Sequence, residues 1–327
     1  MSRTLTLALL MVLVVGLALT TARARVQSGT DEQRMVVGAT PTAILIWLAS
    51  DLGYLDRLPV DLVRMRSGIA TGQAVIDGKA HLATSSDFAF TARALEHQDL
   101  RLLATMSSSQ TARLVARASA YKAVRGDMGK LRYAVTRNGI GHYFLSQYLA
   151  FLGLNFDDVE VRFLPPADIV EAVLAGTVDA ALTWEPHVSR LVTELAGDVI
   201  RFEDQMDQFY YFSLYGKKDW IGKNHAVLAR FLGALRQAQE FARSKPEESI
   251  ERVSRVLDIE PDVLAGIWQN HTLQVLMPND IPLVLEQATE WRIREGLVEL
   301  DAIPNVLEFI EPTPLRTIAP DSVHLLW

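Results

Sequence analysis

The residues Asn138-Gly139-Ile140-Gly141 stand between the apolar run Leu131–Val135 and the amphipathic pattern His142–Leu152, with no spacer. Unpaired N–H groups at a helix N-terminus favour an anion or a polar ligand head. Two glycines also suit a tight strand-to-helix turn that needs φ > 0. Both explanations fit, and the residues alone leave turn geometry and ligand contact open at Asn138, Gly139, Ile140, Gly141 and His142. The turn is not a dinucleotide fingerprint, because Phe144 occupies the third glycine position and no acidic residue closes the next strand. A second loop, Trp184-Glu185-Pro186, places a proline suited to the first helical position beside a carboxylate. Glu185 can complement the helix dipole or receive a ligand N–H, and Asp87 in Ser85-Ser86-Asp87 offers the same alternatives. Trp184 offers a large ring against which a small ligand packs well.

Patterns for catalysis are poor. Ser119-Ala-Tyr-Lys122 matches Ser-x-x-Lys, but no Lys-Thr-Gly accompanies it. The seven histidines contain no His-x-x-x-His pair, and no serine nucleophile elbow is present. The absence of cysteine excludes disulfides, Cys-ligated metals and thiol nucleophiles. Asp157-Asp158 and Glu247-Glu248 suit solvated or capping positions. No catalytic residue, metal or cofactor is expected.

The elements that must position these loops repeat. Ala74–Phe88, "AVIDGKAHLATSSDF", aligns without a gap to Ala172–Pro186, "AVLAGTVDAALTWEP". Each copy reads as a helix end, a glycine C-cap, a short buried strand and a polar loop opening another helix. Strands are expected at Met35–Ala39, Val60–Met65, Ala80–Thr84 and Arg101–Ala104, then at Leu131–Val135, Val159–Phe163, Val178–Leu182 and Val199–Phe202. Helical patterns fall between them, and such alternation implies two parallel, doubly wound α/β lobes. Ligands in open α/β sheets lie beyond the carboxyl ends of strands, where all these loops fall. "ARLVARAS" and "QFYYFSLY" read as strands crossing between the lobes, near Val115 and Phe212. Tyr210 and Tyr211 must point in opposite directions on such a strand. Long helical patterns follow at Ala226–Arg243, Pro246–Leu257, Asp262–Asn270 and Ile281–Glu295, where Trp291 reads as packing.

Length and composition agree with two such units. The chain has 327 residues, 49% of them hydrophobic, and a formal net charge of −7. Without a basic cluster to neutralise phosphates, nucleic acid is not an expected partner. Arg3, the apolar run Leu5–Leu19 and the small-x-small site Ala22-Arg23-Ala24 form a signal-peptide pattern. The run is short of the roughly 20 residues of a membrane span, although an uncleaved anchor is the alternative.

The stretches "LASDLGYLDRLPVDLV", "AVIDGKAHLATSS", "GDMGKLRYAVTRNGIGHYFLSQYLAFLGL", "LPPADIVEAVLAGTVDAALTWEP" and "PLRTIAPDSV" resemble, in that order, the substrate-binding proteins of ABC importers of the nitrate, taurine and aliphatic-sulfonate type. Thiamine-precursor binders are related. The resemblance runs from Met35 to Val323. It implies a type II periplasmic-binding fold, with two lobes joined by a two-strand hinge that close on a ligand. The expected layout is a signal peptide at 1–24, a first lobe of 35–115 plus 212–310, a second lobe at 116–211 and a tail at 311–327. The expected ligand-binding set adds Thr40, Pro41, Ser107 and Tyr211 to Ser85, Ser86, Asp87, the Asn138–His142 turn, Trp184 and Glu185. The implied protein is a periplasmic monomer, matured near Ala24 and not a lipoprotein, that delivers a sulfonate-, taurine- or nitrate-like or heteroaromatic molecule to an ABC permease and ATPase. An enzyme of thiamine-precursor type on the same fold, or an extracellular sensing module, is the alternative. Two departures stand out: His81 replaces the family's usual Asp, which its counterpart Asp179 keeps, and Gly-Ile-Gly replaces the small hydroxyl residues often found in sulfonate binders.

Overall fold

The computed structural model describes residues 34–202 and 208–325. The expected signal segment lies outside the described residues. Eleven strands are described: β1 Met35–Ala39, β2 Val60–Arg64, β3 Leu82–Ser86, β4 Leu100–Ser109, β5 Arg113–Arg117, β6 Arg132–Val135, β7 Glu160–Phe163, β8 Ala180–Thr183, β9 Val199–Arg201, β10 Tyr210–Lys217 and β11 His271–Leu276. Helices α1 Ile44–Asp51, α2 Gly68–Ile76 and α3 Asp87–Glu96 alternate with the first strands. α4 Ala118–Ala123, α5 Ile140–Phe151, α6 Pro166–Leu174 and α7 His187–Glu194 alternate with the next group. α8 Lys218–Lys223, α9 His225–Ser244, α10 Pro246–Leu257, α11 Pro261–Trp268, α12 Ile281–Arg294 and α13 Thr313–Ile318 complete the described set.

The strands form two sheets, ordered β11-β4-β10-β3-β1-β2 and β7-β6-β8-β5-β9. Reading the second backwards superimposes the logic: β4, β10, β3, β1 and β2 correspond to β9, β5, β8, β6 and β7. The expected parallel pairs are present, β1 with β3 and β6 with both β7 and β8. Each sheet is mixed rather than purely parallel. β10 runs antiparallel between β3 and β4, and β5 antiparallel between β8 and β9. These two strands exchange the chain between sheets. β5 belongs wholly to the second sheet and β10 wholly to the first, so Val115 and Phe212 lie inside strands and the first change of sheet occurs at 110–112. There Thr111 Oγ1 bonds the Tyr210 hydroxyl at 2.7 Å, tying the two crossings together.

The internal repeat is structural. Gly78 (φ +71°) and Gly176 (φ +68°) end α2 and α6 in the left-handed conformation that glycine adopts at least cost. In each copy two amides fold back onto one alanine carbonyl: Lys79 and Ala80 onto Ala74, Thr177 and Val178 onto Ala172. The departure at His81 has a physical account. Its Nδ1 accepts the Val36 N–H at 2.9 Å, just as Asp179 Oδ2 accepts the Arg132 N–H at 3.0 Å. An imidazole acceptor therefore does the carboxylate's work at the entry of β1, and burial lowers its pKa, favouring the neutral ring this requires. His81 also stacks on Trp220 at 4.7 Å.

The core of the second lobe joins Val115, Ala134 and Ala181 on its strands to Ile169, Val170, Val173, Val188 and Leu191 on α6 and α7. The two lobes meet through aromatic side chains. Phe88 on α3 and Trp291 on α12 pack with Ile140 and Tyr143 on α5. Phe88 stacks on Tyr143 at 5.0 Å, and Trp291 Nε1 donates to Ser146 Oγ at 2.7 Å.

Candidate functional site

The turn after β6 is built differently from its glycine-based expectation. The left-handed residue is Asn138 (φ +57°), a type that tolerates that region, whereas Gly139 has φ −96° and caps α5 in an extended conformation. Gly141 is needed for packing: a Cβ there would stand 2.4 Å from the Leu182 carbonyl oxygen on β8. The Gly139 amide donates to Thr136 O, and those of His142 and Tyr143 to Gly139 O. The first helical amides, Ile140 and Gly141, are the ones that an α-helix cannot satisfy within itself.

His142 points away from this opening. It is buried among Phe156, Phe163 and Trp291, and its Nδ1 accepts the Asn138 N–H at 3.4 Å. Burial first, then the charges of Arg137 and Arg292, push its pKa down to about 4. A neutral imidazole thus braces the turn from behind.

Two pockets adjoin the turn, and residues of both lobes line them. The larger, about 310 Å³, is bounded by Asn138, Gly139 and Ile140 on one side and by Phe88, Arg93, Arg292 and Leu297 on the other. Arg292 is 3% exposed. Its Nη2 donates to Phe88 O at 3.0 Å, and its guanidinium lies 4.1 Å from the Phe88 ring centroid. Its Nε has no hydrogen-bond partner among the described residues. Glu96, whose charge acts on it, is itself bonded to Arg93 at 2.9 Å. Burial lowers the Arg292 pKa to about 10, which leaves the group charged at neutral pH.

The smaller pocket, about 220 Å³, is lined by Asp87, Tyr143, Gln147, Gln208, Tyr210 and Ala288 among others. Asp87 is buried; its Oδ1 accepts the Phe88 N–H at 2.6 Å and its Oδ2 the Tyr211 N–H at 3.1 Å. Burial pushes its pKa up to about 7, against the pull of those two N–H groups and with the Asp280 charge adding to the rise. Phe88 and Ile140 line both pockets and so form the wall between them.

Of the residues expected at a ligand, Asn138, Gly139 and Ile140 line the larger pocket, and Asp87 lines the smaller one across the Phe88–Ile140 wall. The others are placed in structural roles. The Thr40 amide donates to Thr84 Oγ1 and its carbonyl accepts Trp47 Nε1, beside Pro41 at the end of β1. Ser85 Oγ donates to Ser86 O, and Ser86 Oγ caps α3 by accepting the Ala89 N–H. Ser107 is buried in β4 between Phe212 and Leu273. Glu185 accepts the Ser189 N–H at 3.0 Å, the capping alternative, and Trp184 packs edge-on to His187. Neither lines either pocket. Tyr211 donates to Asp280 at 2.8 Å, whereas Tyr210 lines the smaller pocket. Ser119 donates to Asp198, not to Lys122.

Sequence reasoning missed Phe88, Tyr143 and Arg292. The faint signal for Arg292 was helical spacing, which puts this cation on the same face as Leu285 and Ala288.

Comparison with known proteins agrees with this architecture. A protein of Escherichia coli K12 named for binding aliphatic sulfonates is 27% identical over 177 residues, 54% of this chain and 55% of that protein; the match thus spans about half the relative's length. The taurine-binding periplasmic protein of the same organism is 26% identical over 224 residues, 65% of this chain and 68% of its own. The crystal structure of the E. coli periplasmic aliphatic sulphonate binding protein SsuA superimposes with a TM-score of 0.73 at 18% identity, covering 86% of this chain and 98% of that one, and so shows the periplasmic-binding-protein fold. The NMT1/THI5-like family model matches residues 40–249, well over half of the sequence, and the chain belongs to that family.

Proposed function

We propose that this protein is an exported solute-binding protein that captures a small organic anion of the sulfonate class between its lobes and delivers it to an ABC permease and its ATPase. The observation that carries this reading is the 310 Å³ pocket, where the N-terminus of α5 from the second lobe faces the cation Arg292 from the first. A helix N-terminus and a buried guanidinium both favour negative charge. The names of the sulfonate- and taurine-binding relatives support the same ligand class. The protein binds and releases without chemistry. It works in the periplasm as a monomer after cleavage near Ala24, and the hinge runs through the 110–112 crossing and the Thr111–Tyr210 contact at the start of β10. Closure of the lobes hides the ligand, and the permease reads the closed form.

A thermal-shift panel of taurine, ethanesulfonate, nitrate and an aminopyrimidine tests this directly. A ligand held only by the folded state adds about 2.7 kcal/mol of stability at a hundred times its Kd. Sulfonates are expected to raise the midpoint. A shift with the aminopyrimidine alone would replace the anion by a heteroaromatic ligand.

A further inference from the structure

Arg292 poses a problem that the fold itself does not solve. It lies at the start of the last turn of α12, where the helix dipole favours a cation. That partial charge does not replace a counter-ion. Buried guanidinium groups are ordinarily paired with a carboxylate, because an ion taken out of water without a partner is costly. Here the side chain is 3% exposed, makes one hydrogen bond to a carbonyl, and keeps Nε without a partner among the described residues. The pocket it lines holds the α5 N-terminus on its other side.

The same guanidinium holds Phe88. One Nη bonds the Phe88 carbonyl, and the guanidinium carbon lies over the ring. Tyr143 stacks on the ring from the second lobe. The ring is thereby fixed as the wall between the cationic pocket and the Asp87 pocket. We infer that Arg292 is the counter-charge for the ligand's anionic head, and that the Phe88 ring it supports limits the length of the ligand tail by closing off the second pocket. This rests on the capture of an organic anion proposed above.

The experiment is calorimetric titration of the purified protein with ethanesulfonate, hexanesulfonate and ethyl methyl sulfone, an uncharged analogue of similar shape. Wild type should bind ethanesulfonate and reject the sulfone by at least roughly tenfold, the usual margin for a charge-assisted contact. Arg292→Gln should weaken ethanesulfonate roughly ten- to a hundredfold, with Arg292→Lys falling between the two. Phe88→Ala should shift the hexane-to-ethane affinity ratio by roughly tenfold or more towards the long chain, since each newly buried methylene favours binding about fourfold. Circular dichroism of each variant separates loss of binding from loss of fold. If Arg292→Gln does not fold, the sulfone comparison on wild type and the lysine variant decide. Equal affinity of wild type for sulfonate and sulfone, or of folded Arg292→Gln and wild type for sulfonate, would overturn the counter-charge. An unchanged chain-length ratio in Phe88→Ala would overturn the wall. Wild type that binds neither sulfonate would instead overturn the proposed function, and this inference with it.

Discussion

Replacing Ser146 by alanine should open the molecule. Ser146 Oγ accepts the Trp291 indole N–H at 2.7 Å and donates to Tyr143 O at 2.8 Å. Ser146 sits on α5, which packs against β8, while Trp291 shares a cluster with Phe88 of the first lobe, so this hydrogen bond exists only while the lobes are together. Both side chains are buried, Ser146 at 7% and Trp291 at 1% exposure. Alanine at 146 would leave a buried indole N–H without its acceptor, a loss of about 1–3 kcal/mol. Opening releases that N–H to water, so the loss falls on the closed form alone. The closed-to-open ratio should therefore drop about 5- to 150-fold. Small-angle scattering of the ligand-free protein should report a larger radius of gyration for Ser146→Ala, and ligand affinity should fall by the lost closed fraction. Ser146→Thr, which keeps the hydroxyl, should stay near wild type. A Ser146→Ala protein with unchanged radius and unchanged affinity would refute the idea that this bond holds the lobes together.

Other substitutions separate packing from binding. Gly141→Ala should cost about 1–3 kcal/mol or more in urea unfolding because its Cβ meets a strand carbonyl, whereas Gly139→Ala, with ordinary φ and a nearest contact of 3.2 Å, should cost under about 1 kcal/mol. Asp87 has a folded pKa raised to about 7, so the unfolded chain ionises first and stability should fall as pH rises from about 4 to 7, by up to about 1.4 kcal/mol per pH unit. Asp87→Asn should remove that slope, and a variant as pH-dependent as wild type across this window would contradict it. His81→Ala, which strips the acceptor from the Val36 N–H, should destabilise by about 1–3 kcal/mol, while His81→Asp should recover most of the loss by restoring the Asp179 arrangement.

The repeat was legible because its signals are local. A glycine two residues past a helix end, a short apolar strand and a polar N-cap are all read within fifteen residues, and they set both the strand order and the loops at the strand ends. The turn was legible for the same reason, although which residue carried its positive φ was not. Asn and Gly both tolerate that region, and only the approach of α5 to Leu182 shows that Gly141 serves packing. The opposite half of the site was hidden by distance. Arg292 lies more than 150 positions from Gly139 in the chain, on a helix whose pattern reads as ordinary packing around Trp291. Burial of a cation with no carboxylate bonded to it among the described residues is a three-dimensional fact that no local spacing announces. Strand alternation said that Tyr210 and Tyr211 diverge, but the choice between them needed the positions of Thr111 and Asp280. The mixed character of the sheets escaped because an antiparallel crossing strand has the same apolar pattern as a parallel one.

A crystal structure of the protein grown with saturating ethanesulfonate tests the central claim most directly. One sulfonate is expected per chain, between the lobes, with its oxygens about 3 Å from the Ile140 or Gly141 amide and from the Arg292 guanidinium. Sulfonate bound elsewhere on the chain, or an empty pocket between closed lobes at that concentration, would contradict capture of an organic anion at this site.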